Sequence, residues 1–341
     1  MHGGGFYHPV KFAVSPPKLP ENLHWFYWES YSTWLSGFAL FLISYLWSPN
    51  VYLIDPKVMD WSPAGAIAAA LAFLVVFWLL YDAICRTLGQ SKNGDAKVGA
   101  LVLLLVCVAA YASTHMFAGR AAFLLTGAMI ATAMSANVFF WIIPGQRTVV
   151  ADLKAGRLVD PIHGKRGKQR SVHNTYFTLP VLFAMLSNHY SFTYSHPQNW
   201  LILIGMMFAG AAIRQFFVLR HGFKLGRNPH PWKYAAVGVV VLIALIVWLR
   251  PAPVAAVALP ETVGYAELKP VIEQRCVMCH GAALASKGVR LDSPEELKLH
   301  AQVVYQQVVV SKLMPMNNAT GLTEEERALF GKWFLDGARV D

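Results

Sequence analysis

Cys276-Val277-Met278-Cys279-His280 carries the most specific chemistry in this chain. Two thiols three positions apart within one helical turn can add to both vinyl groups of a porphyrin. The adjacent histidine then faces the iron, which is the attachment pattern of c-type haem. A redox dithiol or half of a zinc site would use the same spacing. Against these, the chain offers no second cysteine pair for zinc and no βαβ pattern for a thioredoxin-like domain. The other two cysteines, Cys85 and Cys107, lie in or beside apolar runs and read as buried free thiols. Four histidines, His24, His115, His173 and His189, stand near the ends of such runs. A polar ring there needs a partner, so each is a functional candidate, with an interfacial histidine bonded to backbone or water as the ordinary alternative.

The elements that must position these groups fall into two kinds. Around the C-x-x-C-H motif, residues 260–341 have a soluble, charged, helical character. A helix-forming stretch, 265–275, leads into the motif. Thr323-Glu324-Glu325-Glu326 is a capping box that opens a closing helix through Trp333 and Phe334 to about Ala338. The order helix, C-x-x-C-H, loop, methionine, closing helix resembles a small class I cytochrome c. That resemblance implies a second axial ligand from Met314-Pro315-Met316. Met314, which precedes the proline, is preferred, and Met316 is the alternative. The expected iron ligands are therefore His280 and Met314, a pair that gives a relatively high potential.

The remainder reads as a polytopic, all-α membrane bundle. Apolar residues form 55% of the 341, charged residues only 14%, and there are 11 tryptophans, a balance suited to lipid. Seven stretches approach the roughly 20 residues that a span needs: 31–47, 64–84, 98–111, 121–143, 176–192, 200–219 and 234–249. Trp25, Trp28, Trp47, Trp61, Trp200 and Trp232 lie near their ends, as interfacial anchors do. The predicted division is a membrane domain over 1–250, a Pro/Ala/Val tether over 251–259 and a cytochrome domain over 260–341.

Charge assigns the sides. The net charge is +10, yet residues from 260 onward hold 9 Lys and Arg against 11 Asp and Glu. The positive excess sits in short loops between apolar runs, which is a membrane-topology pattern and excludes nucleic acid as the partner. Loops 147–170 and 220–233 are strongly basic and 86–97 weakly so, whereas 114–119 and 193–199 carry no Lys or Arg. Basic loops in the cytoplasm put everything after Leu249 outside, on the face of the bacterial inner membrane where haem is attached to apocytochromes c. His24 and His173 then fall toward the cytoplasm, His115 and His189 toward the haem. No cleavable signal peptide is visible. His173 and His189 are 16 positions apart, about 24 Å along one helix, too far to share an iron or metal.

Several blocks carry a family resemblance. His2-Gly3-Gly4-Gly5-Phe6-Tyr7-His8, His24-Trp25-Phe26 with Glu29, and Trp34-Leu35-Ser36-Gly37-Phe38 resemble the start of the membrane-bound urate oxidases (urate hydroxylases) fused to cytochrome c. His173-Asn174-Thr175-Tyr176-Phe177-Thr178-Leu179-Pro180, with Ser187-Asn188-His189-Tyr190, resembles that family's most distinctive block, and Arg214-Gln215 and Met314-Pro315 to Glu326-Arg327 also match. Members usually carry a further histidine-bearing membrane helix ahead of the His-Gly-Gly-Gly block. The chain begins at that block, so a mis-assigned start or a fragment is expected rather than a seven-helix variant.

The resemblance implies oxidation of urate to 5-hydroxyisourate, with electrons passed through haem c to cytochrome c and a terminal oxidase, and no release of peroxide. Steadying an anionic purine suits cations, and Arg forks bind planar acceptors well. His24, Glu29, His173 and Arg214 are the catalytic candidates, with Arg120 a further cation, although each could be an ordinary structural residue. A cytoplasmic substrate and an external haem, separated by a core about 30 Å thick, call for a relay. A second centre, b-type haem or metal, at His115 and His189 would supply it. Two other readings stay open: a quinol-oxidising subunit of a respiratory complex, and a membrane-anchored electron shuttle.

Overall fold

All seven apolar stretches form helices, with boundaries set by local signals. The computed structural model describes residues 12, 15–19, 27–250 and 259–340, so His24, the histidine-glycine block and nearly all of the tether lie outside the described residues. The first helix, α1 (Trp28–Phe41), runs on through a π-helical turn, Leu42–Leu46. α2 (Pro63–Leu88) starts where the Ser62 hydroxyl accepts from the Gly65 amide and Pro63 occupies the first turn. α3 (Gly94–Met116) follows a tight turn through Asn93. α4 (Gly119–Lys154) is long and contains a π-helical segment at Val138–Ile142, just before Pro144. α5 (Pro161–Leu186) is capped by the Asp160 carboxylate, which accepts from the Ile162 amide at 2.8 Å. α6 (Asn199–Lys224) and α7 (Trp232–Trp248) complete the bundle.

Four of these helices, α2, α3, α4 and α6, are long and apolar enough to cross a membrane. The sequence predicted seven spans, and the other three differ for identifiable reasons. α7 is apolar but has only 17 residues. α1 mixes Glu29, Ser30, Ser32 and Thr33 into its first turns. The first half of α5 carries Lys165, Arg166, Lys168 and Arg170, so its apolar character begins only after His173.

α4 is the hub, packing against α1, α2, α3 and α5, and α6 joins α5 to α7. Small residues let the backbones close up, as expected where lipid supplies no hydrophobic drive between helices. Ala121, Ala122 and Ala133 on α4 are fully buried, and a Cβ added at Gly127 would lie 2.7 Å from the Ala184 methyl on α5. Leucines and valines such as Val76, Leu79, Leu80, Leu103 and Leu104 point outward, as lipid-facing residues do.

The C-terminal segment has its own apolar cluster, centred on Val263, Leu268, Ile272, Leu297, Phe330 and Trp333. α8 (Tyr265–Arg275) leads into a short α9 (Val277–His280), and α10 (Pro294–Leu299) covers the core. The closing helix, α11 (Glu324–Leu335), starts at the capping box: Thr323 Oγ1 accepts from the Glu326 amide at 3.2 Å and Glu326 Oε2 from the Thr323 amide at 2.8 Å. It ends three residues before the expected Ala338, because Gly337 takes a left-handed φ of +94° and turns the chain.

Candidate functional site

A polar cluster is buried where α2, α4 and α5 meet. Arg170, His173 and Asn174 share one face of α5 at positions i, i+3 and i+4, and Tyr81 and Cys85, like Asn137 and Trp141, repeat at i, i+4. Arg170 is only 3% exposed, and its Nη2 reaches Asp82 Oδ1 at 2.6 Å. Trp141 Nε1 donates to the same carboxylate oxygen at 2.7 Å, and Arg170 Nη1 donates to Asn137 Oδ1 at 3.3 Å. The guanidinium also lies over the rings of Tyr81 and Trp141, 5.0 Å from each centroid. Asn137 Nδ2 bridges Tyr81 Oη and Asn174 Oδ1, and Tyr81 Oη lies 2.9 Å from His173 Nδ1. Ions at this depth are costly unless paired, so such a set is a functional candidate.

His173 links this cluster to open space. A cavity of about 730 Å³ lies between α3, α5 and α6. Apolar side chains including Val102, Val106, Phe177 and Phe208 line its inner part, and Lys165, Lys168 and Asp95 line the part nearest the basic loops. A second cavity of about 260 Å³ holds Arg86, Arg166, Arg170 and Trp141, with Cys85 beside it. Gln90 and Gln169 line both spaces. The arrangement brings cations, amide groups and one histidine together, which suits a planar anion with several hydrogen-bonding edges.

Of the predicted catalytic residues, His173 reaches the cavity. Arg214 lies on α6 next to Gln215, which accepts a hydrogen bond from the Tyr176 hydroxyl; the Arg214 Nε is buried without a partner among the described residues. Glu29 is exposed on α1. Arg120 serves the opposite end of the bundle, where its Nε and the Tyr45 hydroxyl both donate to Asn188 Oδ1, at 3.0 and 2.9 Å. His115 stacks on Tyr111, with Nδ1 2.7 Å from the Tyr111 carbonyl, and His189 is exposed in the turn Ser187–His189. Among the described residues, no hydrogen bond or ring contact joins His115 to His189, and no group of three or more His, Cys, Asp or Glu side chains could hold a metal. Tyr81, Asp82 and Asn137 escaped the sequence reading, and Asn174 entered it only within the family block. The signal was present: Asp82 and Asn137 are polar residues inside apolar runs.

The C-terminal thiols and histidine, the residues that could hold a covalent porphyrin, lie within one turn. Cys276 precedes α9 and Cys279 and His280 lie on it, with both cysteines free. His280 Nδ1 lies 3.1 Å from the Val289 carbonyl, an acceptor, so Nδ1 carries the proton and Nε2 keeps its lone pair for a metal. Burial pushes the Cys276 thiol up to about 11, with the Glu326 charge and then Cys279 adding to the effect. Met314 packs against the C-terminal core, and its carbonyl and that of Val308 accept from Arg327 Nη1 at 2.7 and 2.6 Å. Met316 begins the next turn, Met316–Asn318. This loop is seated on the membrane bundle: the Ser191 hydroxyl donates to the Ser311 carbonyl, and Leu313 packs against the bundle core.

No curated protein and no solved structure matches the chain. Its first 250 residues, which contain the bundle, the buried Arg170–Asp82 pair and His173, match the family model described as urate oxidase N-terminal. The chain therefore belongs to the urate oxidase N-terminal family.

Proposed function

We propose that this protein is a membrane-bound oxidoreductase that converts urate and water to 5-hydroxyisourate, two protons and two electrons, with the electrons passing through a c-type haem to cytochrome c and a terminal oxidase. The observation that carries the reading is His173, tied to the buried Tyr81–Asn137–Arg170–Asp82 set and lining a cation-edged cavity in a chain of the urate oxidase family. Lys165 and Lys168 would draw the urate anion in, and the Gln90 and Gln169 amides would meet its carbonyl and N–H edges. The apolar inner wall would exclude water from the reacting ring except where polar groups admit it.

Cys276 and Cys279 would hold the haem covalently, with His280 and Met314 as axial ligands. The group would supply a one-electron acceptor of relatively high potential. In this arrangement the basic loops face the cytoplasm and the C-terminal unit lies in the periplasm of a bacterial inner membrane. Because the cation-edged mouth of the cavity lies at Lys165 and Lys168 while the C-terminal unit is seated beyond Leu186, a second redox centre belongs to the proposal. Haem and metal content of the purified protein tests it, and one haem with no metal would remove it.

The decisive experiment adds urate, without oxygen, to full-length protein matured with haem c, and follows the reduced-haem absorption band. Reduction with formation of 5-hydroxyisourate is expected, and no peroxide when oxygen is restored. The apolar inner wall of the larger cavity favours one competing reading, a quinol site. Reduction by menaquinol with urate inert would replace the urate reading by that one.

A further inference from the structure

We infer that His173 faces the larger cavity as a neutral imidazole with its proton on Nε2, a fixed hydrogen-bond donor to an anionic ligand rather than a proton acceptor. The inference uses the urate reading only to name that ligand. It follows from the hydrogen-bond directions in the buried set, which two independent anchors fix as far as Asn137 and the acceptor strengths around Tyr81 complete.

The first anchor is the Met134 carbonyl, which can only accept. Asn174 therefore places its amide nitrogen there, at 3.0 Å, and turns its own oxygen toward Asn137. The second is Arg170, which can only donate, so Asn137 must turn Oδ1 toward it. Both anchors orient the Asn137 amide the same way. Its Nδ2 then donates to Asn174 Oδ1 and to Tyr81 Oη, each at 2.9 Å. With one lone pair of the Tyr81 oxygen taken by Asn137, the phenol hydrogen goes to the stronger of the two acceptors within its reach, His173 Nδ1 at 2.9 Å rather than the Cys85 sulfur. A ring nitrogen that accepts carries no proton, so a neutral imidazole holds it on Nε2.

The charged and titratable surroundings agree. Tyr81 and Cys85 meet the ring from α2, Arg170, Lys165 and Lys168 come from its own helix, and Asp95 lies on α3 along the same cavity. The Asp82 carboxylate is engaged by Arg170 and Trp141, so no close carboxylate is left to hold an imidazolium. The Cys85 sulfur, 3.8 Å from Nδ1, is a weak competitor for the Tyr81 contact. Nε2 has no protein partner among the described residues, yet it is not sealed away. Among the described residues the buried side-chain atoms left without a partner are Trp78 Nε1, Arg214 Nε and Thr320 Oγ1, and His173 lines the cavity. Its free N–H is thus presented to whatever binds there. Tyr81 acts through it as a positioning residue. The proton that urate loses must then leave by another group or by water.

The test is nitrogen NMR of full-length, haem-matured protein labelled with ¹⁵N-histidine in nanodiscs, with His173→Gln used to assign the His173 signals. An unprotonated Nδ1 and a protonated Nε2 are expected from about pH 6 to 8, the range in which a free histidine titrates. An Nδ1–H tautomer or an imidazolium in that range would overturn the inference. Tyr81→Phe should release the constraint and give a mixture of tautomers, and an unchanged ring there would also refute the role of Tyr81. None of these measurements needs urate. Adding urate tests the other half: the Nε2 signal should move. An Nε2–H ring indifferent to urate leaves the tautomer standing and removes urate from this cavity. In turnover, His173→Gln, whose amide nitrogen can occupy the Nε2 position, should keep most of the urate affinity, while His173→Ala should lose about 10- to 100-fold, the range for a hydrogen bond to a charged group. Equal loss in kcat for both, with KM unchanged, would mark His173 as a base.

Discussion

Replacing Asp82 by alanine would leave the Arg170 guanidinium buried, 3% exposed, without its carboxylate partner. Asp82 accepts from Arg170 at 2.6 Å and from Trp141 at 2.7 Å on one oxygen, and its other oxygen lies 3.9 Å from the more exposed Arg86. Removing one member of a buried ion pair typically costs about 3–5 kcal/mol, most of it the stranded charge rather than the lost attraction. Removing both members with a residue of similar volume is far milder, since neither charge then needs desolvation. Asp82→Ala alone should therefore lower the melting temperature of the detergent-solubilised protein by about 6–20 °C, taking roughly 2–4 °C per kcal/mol for a unit of this size. Asp82→Ala with Arg170→Met should recover most of that loss. Activity should not follow stability. The double variant lacks one of the two anchors of Asn137 and the cation beside Tyr81 and the smaller cavity, so urate-driven haem reduction should be impaired in a protein that is folded. Thermal melts of the two single variants and the double variant, beside anaerobic urate assays, make the comparison. Additive destabilisation would mean that the two groups do not form a coupled pair, and full activity in the double variant would remove the network from the mechanism.

Two further outcomes concern the C-terminal unit. Met314→Ala should abolish the spectral signature of methionine ligation in the oxidised haem, whereas Met316→Ala should leave it; the reverse would move the ligand to Met316. Asp336 accepts from Lys332 Nζ at 3.1 Å and from the Val263 amide at 3.0 Å, and these contacts, Lys332 first, hold its carboxyl below the usual 3.8. A depressed folded-state value means stability that is present above the ordinary value and lost as pH falls through the folded one. Acid titration of the unit's unfolding should show a limb below about pH 3.8 that Asp336→Asn flattens, and an unchanged limb would refute the assignment.

Much of this architecture was legible because it is local. Ser62-Pro63 and Asp160-Pro161 announce helix starts, and Thr323 with Glu326 announces the closing helix, since capping involves residues three apart. The C-x-x-C-H motif is equally local. The polar cluster was not, because its partners are far apart in sequence: Arg170 and Asp82 are separated by 88 positions, and Tyr81 and His173 by 92. The basic half of α5 counted as loop charge, and only the packing of α5 on α2 and α4 turns Arg170 inward while Lys165 and Lys168 stay beside the cavity. One clue was local after all. An aspartate inside the apolar run of α2 requires a cation from some other helix, and α5 was the apolar helix richest in them.

α5 also explains why a single membrane anchor would not serve the proposed reaction. His173 lies in its first half beside the cavity, and the turn after its last residue bears His189 and leads to Ser191, where the loop preceding Met314 is seated. Sixteen residues at 1.5 Å each place the two histidines about 24 Å apart along the helix direction. A ligand at His173 and a haem at His280 would therefore occupy opposite ends of one bundle. The helices between them must exclude lipid from a charged cluster at one end and hold a soluble unit in a fixed pose at the other. Asn137 and Trp141 on α4 serve the first by bonding Arg170 and Asp82 where α2 and α5 meet. Leu313, packed into the bundle core beside the Ser191–Ser311 hydrogen bond, provides the second. Replacing Leu313 with aspartate should loosen that seat, slowing urate-driven reduction of the haem while its spectrum and its reduction by dithionite stay unchanged. Equal urate-driven rates in both proteins would mean that the fixed pose contributes nothing to transfer.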